Sequence, residues 1–412
     1  MKHRGRHRRR RRGAALRAVL AGTALALTAA ATMISASQAT VADDPGALRA
    51  LSSPTGSDAP RLAAAPVPRA ALDRLTAAMG RPVGVAGALR GADHTLRSAP
   101  DCAEDEKRAL PVAPAATRAY CFAGADTAGW RPGAVAVSGD GDGDGRVLAS
   151  AWSRGDLTRV AFVDASDPRH LAYTWALLAV PVDQGRGYRG LATPVLGMAW
   201  DQDTLLVTAG ERDRAVLYAF DVRRVLRAGV DSRAVGRVPG GWSAGGARFV
   251  LPAVASYAPV GDVPRPAGLG LDRTARPDAL AVSERVPAGE HRPTRLWRYR
   301  LGADGLPLTG ASGEAVPDAV YTTKATEVRG VLPHGSRWYV ARAGETPDGR
   351  GTLWRQDATG ARTTHCGSDD THVCWSAPPQ SLSYAPGTGE VWSQSGGMLF
   401  ALPLTSLDAG LG

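Results

Sequence analysis

Gly197-Met198-Ala199-Trp200, Leu205-Leu206-Val207 and Val216-Leu217-Tyr218-Ala219-Phe220 follow one another along a single stretch of the chain. Each run is short enough for a strand, and turn residues separate it from the next. The same order returns as Gly268-Leu269-Gly270-Leu271, Leu280-Ala281-Val282 and Leu296-Trp297-Arg298-Tyr299. It returns again as Gly330-Val331-Leu332, Trp338-Tyr339-Val340 and Thr352-Leu353-Trp354-Arg355. Ser381-Leu382-Ser383-Tyr384, Glu390-Val391-Trp392 and Met398-Leu399-Phe400-Ala401-Leu402 make a further copy. A fainter one precedes them all: Gly133-Ala134-Val135-Ala136, Val147-Leu148-Ala149 and Val160-Ala161-Phe162-Val163. Repetition of a three-strand unit on this scale predicts an all-β fold, a single β-propeller with one blade per copy.

The starts at Gly133, Gly197, Gly268, Gly330 and Ser381 are 64, 71, 62 and 51 residues apart. A compact blade needs roughly 40–45, so loops or fourth strands fill the excess. Tyr173 to Val182 and Phe249 to Tyr257 suit outermost strands of the first two blades. The last copy stops after its third strand near Leu404, and a strand between Val83 and Phe122 could complete it. Five blades are expected, or six if the region from Cys102 to Cys121 forms a blade of its own.

The net charge of +10 is misleading. Lys2, Arg4, Arg6, Arg8 to Arg12 and Arg17 hold nine of the 49 basic residues, leaving 40 against 39 acids in the rest. No basic stripe remains to neutralise a phosphate backbone, which argues against a nucleic-acid partner. Residues 1–42 read instead as an export signal: a basic start, an alanine-rich apolar run from Ala18 to Ile34, and small residues for cleavage after Ala39 or Ala42. The run is too weakly apolar for a spanning helix, which wants about 20 strongly apolar residues. No stable membrane span is expected after cleavage, and the localisation expected is extracellular. Arg11-Arg12 leaves the twin-arginine route open beside the general one.

Residues 43–67 are rich in Ala, Pro and Ser and lack an apolar period, so a disordered spacer is expected. The propeller domain should then run over 68–412. It opens on a short helix in which Leu72, Leu75 and Met79 share one face and Gly80 is the stop. The four cysteines form two local pairs, Cys102 with Cys121 and Cys366 with Cys374, and in an exported chain these predict disulfides.

Val195-Leu196-Gly197-Met198-Ala199-Trp200, Phe249-Val250-Leu251-Pro252, Arg337-Trp338-Tyr339-Val340 and Glu390-Val391-Trp392-Ser393 resemble a group of secreted Streptomyces-type (actinobacterial) proteins. The resemblance spans about residues 130 to 404 and lies in strand residues. It implies export and the propeller fold, and it carries over no catalytic residue.

Several motifs invite chemistry. Asp140, Asp142 and Asp144 alternate with glycines and could converge on Ca²⁺ as a cofactor. An EF-hand would need Glu where Ala151 stands, and Asp-Gly runs also make ordinary hairpin tips. His365-Cys366 and His372-Val373-Cys374 have the donors for zinc, yet an oxidising compartment favours the disulfide. Gly241-Trp242-Ser243-Ala244-Gly245 matches the nucleophile elbow, but it leads into a strand where that motif requires a helix.

The residues just ahead of the inner strands are Trp130, Arg131, Thr193, Arg265, Glu327 and Gln380. In a propeller these should surround one mouth of the ring, where ligands bind. Glu327 is the single acid among them, while a glycosidase needs two carboxylates. The expectation is a non-catalytic binding protein for an extracellular ligand or protein. A glycan-acting hydrolase or lyase on the same scaffold is the alternative.

Overall fold

Leu205, Leu206 and Val207 lie on one strand, Thr204–Ala209, yet they serve two cores. Leu205 and Val207 pack with Val160 and Phe162, whereas Leu206 packs with Leu280 and Trp297. Successive side chains of a strand point to opposite faces. An unbroken apolar run is therefore the signature of a sheet covered on both sides. Leu280-Ala281-Val282 and Leu399-Phe400-Ala401-Leu402 divide between cores in the same way.

The computed structural model describes residues 44–51, 59–139, 147–191, 194–210, 215–290, 292–344, 349–366, 372–378 and 381–411. The expected leader, 1–42, and its cleavage sites lie outside these residues, as do Asp140, Asp142, Asp144, Thr193 and Gln380.

From Arg131 onward most of the described strands form five successive antiparallel units, the first two of them joined into one sheet where Phe249–Pro252 pairs parallel to Ala176–Ala179. Val235–Val238 and Gly241–Ala244 form a separate hairpin. The first unit runs Arg131–Val137, Val147–Arg154, Leu157–Asp164 and Ala172–Val182. The second is Val195–Asp201, Thr204–Ala209, Val216–Asp221 and Phe249–Pro259. Leu269–Asp272, Ala279–Ser283, Thr294–Arg300 and Ala319–Thr323 make the third. Val328–His334, Arg337–Arg342, Thr352–Gln356 and Ala361–Thr363 make the fourth. The fifth has only Ser383–Ala385, Glu390–Ser395 and Met398–Pro403 from the C-terminal end. Its fourth strand is Arg118–Cys121, paired antiparallel to Met398–Pro403. The region from Cys102 to Cys121 therefore completes the last unit and makes no separate sheet.

One apolar core lies between each pair of consecutive units. Phe162 and Trp200 meet edge-on at 5.9 Å between the first and second. Leu217 and Trp297 share the next core, and Leu296 and Val340 the one after. Tyr339 and Phe400 belong to the core of the fourth and fifth units. A further core joins Trp392 and Leu399 of the fifth unit to Trp152 and Val163 of the first. The cycle closes, giving an all-β propeller architecture.

The join between fifth and first units is also made by hydroxyls. The Val135 and Val137 amides donate to Ser381 Oγ at 2.8 Å and Ser383 Oγ at 2.9 Å. The recurrent glycines have a steric cause where the inner strands converge. A Cβ on Gly197 would lie 2.5 Å from the Ala267 carbonyl oxygen, and one on Gly270 would lie 2.0 Å from that of Val331.

The helix reading holds: Arg69–Met79 is α-helical, with Leu72 and Leu75 buried and Gly80 beyond its end at φ 101°. The spacer reading needs correction. Leu62–Pro66 pairs antiparallel with Phe249–Pro259, and Arg49–Ala50 pairs with Ala319–Thr323. An open sheet edge recruits backbone N–H and C=O groups, so a segment of alanines serves without an apolar pattern. Leu48 and Leu62 are the large buried side chains among the described residues of the expected spacer.

Cys102–Cys121 and Cys366–Cys374 are disulfides, with Cα atoms 6.0 and 5.7 Å apart. Both bonds suit an oxidising compartment. No described helix is long and apolar enough to cross a membrane.

Candidate functional site

The segment Gly261–Pro266 delivers the chain to the inner strand of the third unit. Val263 and Arg265 each precede a proline, which disfavours the helical region at both. Arg265 is thereby presented on a stiff Pro264-Arg265-Pro266 backbone. Because the second strand of a unit returns antiparallel to the first, its last residues come back to this same end. Glu284 and Arg285 follow the end of Ala279–Ser283 and reach it in that way.

These residues line a cavity of about 520 Å³ between the second and third units. Pro194, Leu196, Val263, Pro264 and Pro266 form its apolar wall, and Arg265, Arg285, Arg292 and Arg295 supply the cations. Its size is that of an ordinary small-molecule site.

Most of the charge here is internally compensated. The Glu284 carboxylate is nearly fully buried and accepts from Arg292 Nη1 at 2.8 Å and from the Arg295 amide at 2.7 Å. Arg292 also bonds Glu290 at 3.0 Å. Glu327 accepts from Arg285 Nη2 at 3.1 Å and Arg329 Nη2 at 3.0 Å. Its backbone sits at φ 50°, a region unusual for a residue with a Cβ. Two bonds hold it there: its amide donates to the Val286 carbonyl at 2.7 Å, and its own carbonyl accepts from Ala343 at 3.0 Å. Arg265 differs. Among the described residues, its guanidinium reaches only the Gly261 carbonyl, at 3.5 Å, the outer limit of a hydrogen bond.

Of the residues expected at the mouth, Arg265 lines this cavity and Glu327 adjoins it through Arg285. Trp130 and Arg131 are not among its lining residues. Trp130 is buried, and its ring is already covered by the guanidinium groups of Arg154 at 4.4 Å and Arg159 at 4.0 Å. It has no open face to stack on a guest. Arg131 is exposed at the start of the first unit. The cavity belongs to two adjacent units, where the sequence suggested a site on the common axis. Glu284, Arg285, Arg292 and Arg295 were not anticipated. The signal available for the first two was a charged pair directly after an apolar strand, Ser283-Glu284-Arg285.

A second cavity, about 1030 Å³, lies among the inner hairpin turns Asp201–Asp203 and Arg273–Asp278. Burial raises the Asp201 carboxyl above its ordinary value, while the charge of Arg273 pulls it back. Arg273 lies 3.6 Å from Asp201 and 3.3 Å from Asp278, so these charges also satisfy one another.

The remaining motifs fall to structural roles. Gly241–Ala244 is a strand, and Ser243 Oγ lies 2.8 and 2.9 Å from the carbonyl oxygens of Ser232 and Ala234, which share its one proton. The elbow geometry is absent there. Among the described residues, Cys102, Glu106 and Cys121 form a group of potential metal ligands. The disulfide consumes both sulfurs, and Glu106 bonds Arg97. The rings of His365 and His372 stand 4.8 Å apart beside the second disulfide, whose thiols are likewise consumed.

No protein-family model matches the chain, and no curated protein does. Among solved structures, an extracellular domain from B. thetaiotaomicron (BT4673) is 9% identical at a TM-score of 0.26. That alignment covers 68% of this chain and 41% of the other, so the chain spans about two fifths of that protein's length. Drosophila Plexin A in complex with Semaphorin 1b is 8% identical at a TM-score of 0.22, over 70% of this chain and 74% of the other. The architecture therefore rests on the strand pairings and cores described above.

Proposed function

We propose that this chain is an exported binding protein that holds an extracellular ligand without turning it over, in the cavity between the second and third units. The observation that carries the reading is Arg265, a cation on a stiff backbone beside an apolar wall, with a distant carbonyl as its described partner. Export is supported by the basic and apolar leader, the two disulfides and the resemblance to secreted Streptomyces-type proteins. The binding reading is supported over hydrolysis by the commitments of the two acids: both Glu284 oxygens accept, from the Arg292 guanidinium and the Arg295 amide, and Glu327 Oε2 is shared by Arg285 and Arg329. A glycosidase needs one carboxyl to protonate and another to attack or to activate water.

Calorimetry of the mature protein against cell-wall glycans and extracellular proteins tests it, with Val263→Trp as the variant that fills the cavity. Loss of binding in that variant, without product formation, is the expected result. Turnover that disappears in Glu327→Gln would establish the hydrolase instead. N-terminal sequencing of the exported protein should begin near Thr40 or Asp43.

A further inference from the structure

Resting on that reading of the cavity, we infer that its ligand carries a single carboxylate, gripped by Arg265, beside an apolar face that lies on Pro264 and Pro266.

The charge balance selects the sign and the size of the ligand's charge. Arg285 and Arg292 are already held by Glu327 and Glu284. Arg265 has no carboxylate partner among the described residues. A cationic ligand would meet the Arg265 guanidinium, which no described carboxylate offsets, and be repelled. A dianion such as a phosphate monoester would have to share Arg285 and Arg292 with Glu327 and Glu284, and it would face Asp262 and Glu284 in the same wall. One negative charge matches one guanidinium.

Geometry narrows the ligand further. A guanidinium offers two parallel N–H groups to a planar carboxylate, a fork that a point charge does not match. Pro264 and Pro266 restrict the backbone on both sides of Arg265, so less conformational freedom is lost when the fork closes. The rest of the wall, Pro194, Leu196 and Val263 with the two prolines, cannot hydrogen-bond through its side chains. It suits hydrocarbon or the C–H face of a ring. At about 520 Å³ the space exceeds what a bare carboxylate fills, so the ligand has such a body.

The test uses fluorine NMR with 4-fluorobenzoate, 4-fluorobenzamide and 4-fluorophenyl phosphate as probes of matched shape. Each is titrated into the mature protein and into Arg265→Gln, Arg265→Lys and Val263→Trp, with thermal melts confirming that each variant is folded. The expected result is benzoate binding at least about tenfold tighter than the amide or the phosphate, the scale of one charge-assisted bond. Arg265→Gln should remove that preference, Arg265→Lys should keep part of it, and Val263→Trp should abolish binding. Equal binding of benzoate and benzamide, both lost in Val263→Trp, would overturn the carboxylate and leave the cavity as the site. Tighter, Arg265-dependent binding of the phosphate would overturn it in the same way. Benzoate binding that is unchanged in all three variants, or no binding by any probe, would remove the carboxylate inference and count against the cavity itself.

Discussion

Asp408 accepts a 2.7 Å bond from Arg355, and through it the C-terminal helix Leu404–Gly410 is tied to the fourth unit. The helix continues from Met398–Pro403 of the fifth unit, so the pair spans two neighbours. Tyr339 donates to the same carboxylate at 2.8 Å and Arg337 at 3.2 Å. Burial alone would raise the Asp408 carboxyl. The bonds from Arg355 and Tyr339 and the charges of Arg355 and Arg337 outweigh it and hold the carboxyl below its ordinary value.

Asp408→Asn is expected to lower stability by about 1–3 kcal/mol, since charge-assisted bonds are lost at a half-buried site. The sign with pH follows from the depressed value. Stabilisation by Asp408 is complete above the unfolded carboxylate pKa, near 4. It is lost as pH falls through the lower folded value. Melting curves from pH 7 to 2 should therefore show wild type and variant converging at the acid end. A constant gap across that range would show that the ion pairs are not its source.

Gly270 tests the convergence of the inner strands. A Cβ there would meet the Val331 carbonyl oxygen at 2.0 Å, and backbone cannot swing aside as a side chain can. Gly270→Ala should cost at least about 1–3 kcal/mol, the usual penalty of overpacking. A Cβ on Gly229 would meet nothing within 4 Å, so that position serves as the control. Urea midpoints that move equally for Gly270→Ala and Gly229→Ala would refute a packing role.

That steric need is what made the fold legible. Glycine at the start of inner strands, followed by apolar runs such as Leu205-Leu206-Val207, marks a sheet packed on both faces and converging at one end. The completing strand Arg118–Cys121 was harder to locate, because its partner Met398–Pro403 lies about two thirds of the chain away. Leu62–Pro66 was illegible for another reason: its pairing with Phe249–Pro259 is made by backbone, and alanine carries no strand signal. Arg265 could be singled out beside its inner strand. Its neighbours Arg292 and Arg295 come from a loop and an adjoining strand whose closeness only the folded chain sets.

Cys102–Cys121 joins residues 19 apart and anchors the strand that completes the fifth unit. Replacing both cysteines with serine should cost about 3 kcal/mol on the loop-entropy scale. Mass mapping of the non-reduced protein should find this pair and Cys366–Cys374, and crossed pairs would contradict the structure. The melting temperature of the double variant gives the size of the effect.

Arg159 lies between two indoles, its Cζ 4.0 Å from the Trp130 ring centre and 3.6 Å from that of Trp175. It also donates to the backbone carbonyl of Asp126, yet its Nε is buried without a hydrogen-bond partner among the described residues. Burial presses the guanidinium toward its neutral form, and the charge of Asp126 opposes that. Desolvation cost and ring attraction therefore compete at one side chain. A desolvated cation–π contact contributes about 2 kcal/mol, and the guanidinium adds planar stacking that an ammonium lacks. Arg159→Lys should consequently destabilise more than Arg159→Met: lysine keeps a strongly hydrated charge in the slot, whereas methionine fills it without one. Chemical denaturation of the two variants, followed by tryptophan fluorescence, decides the matter. If lysine proves the milder substitution, charge rather than planar stacking holds the sandwich together.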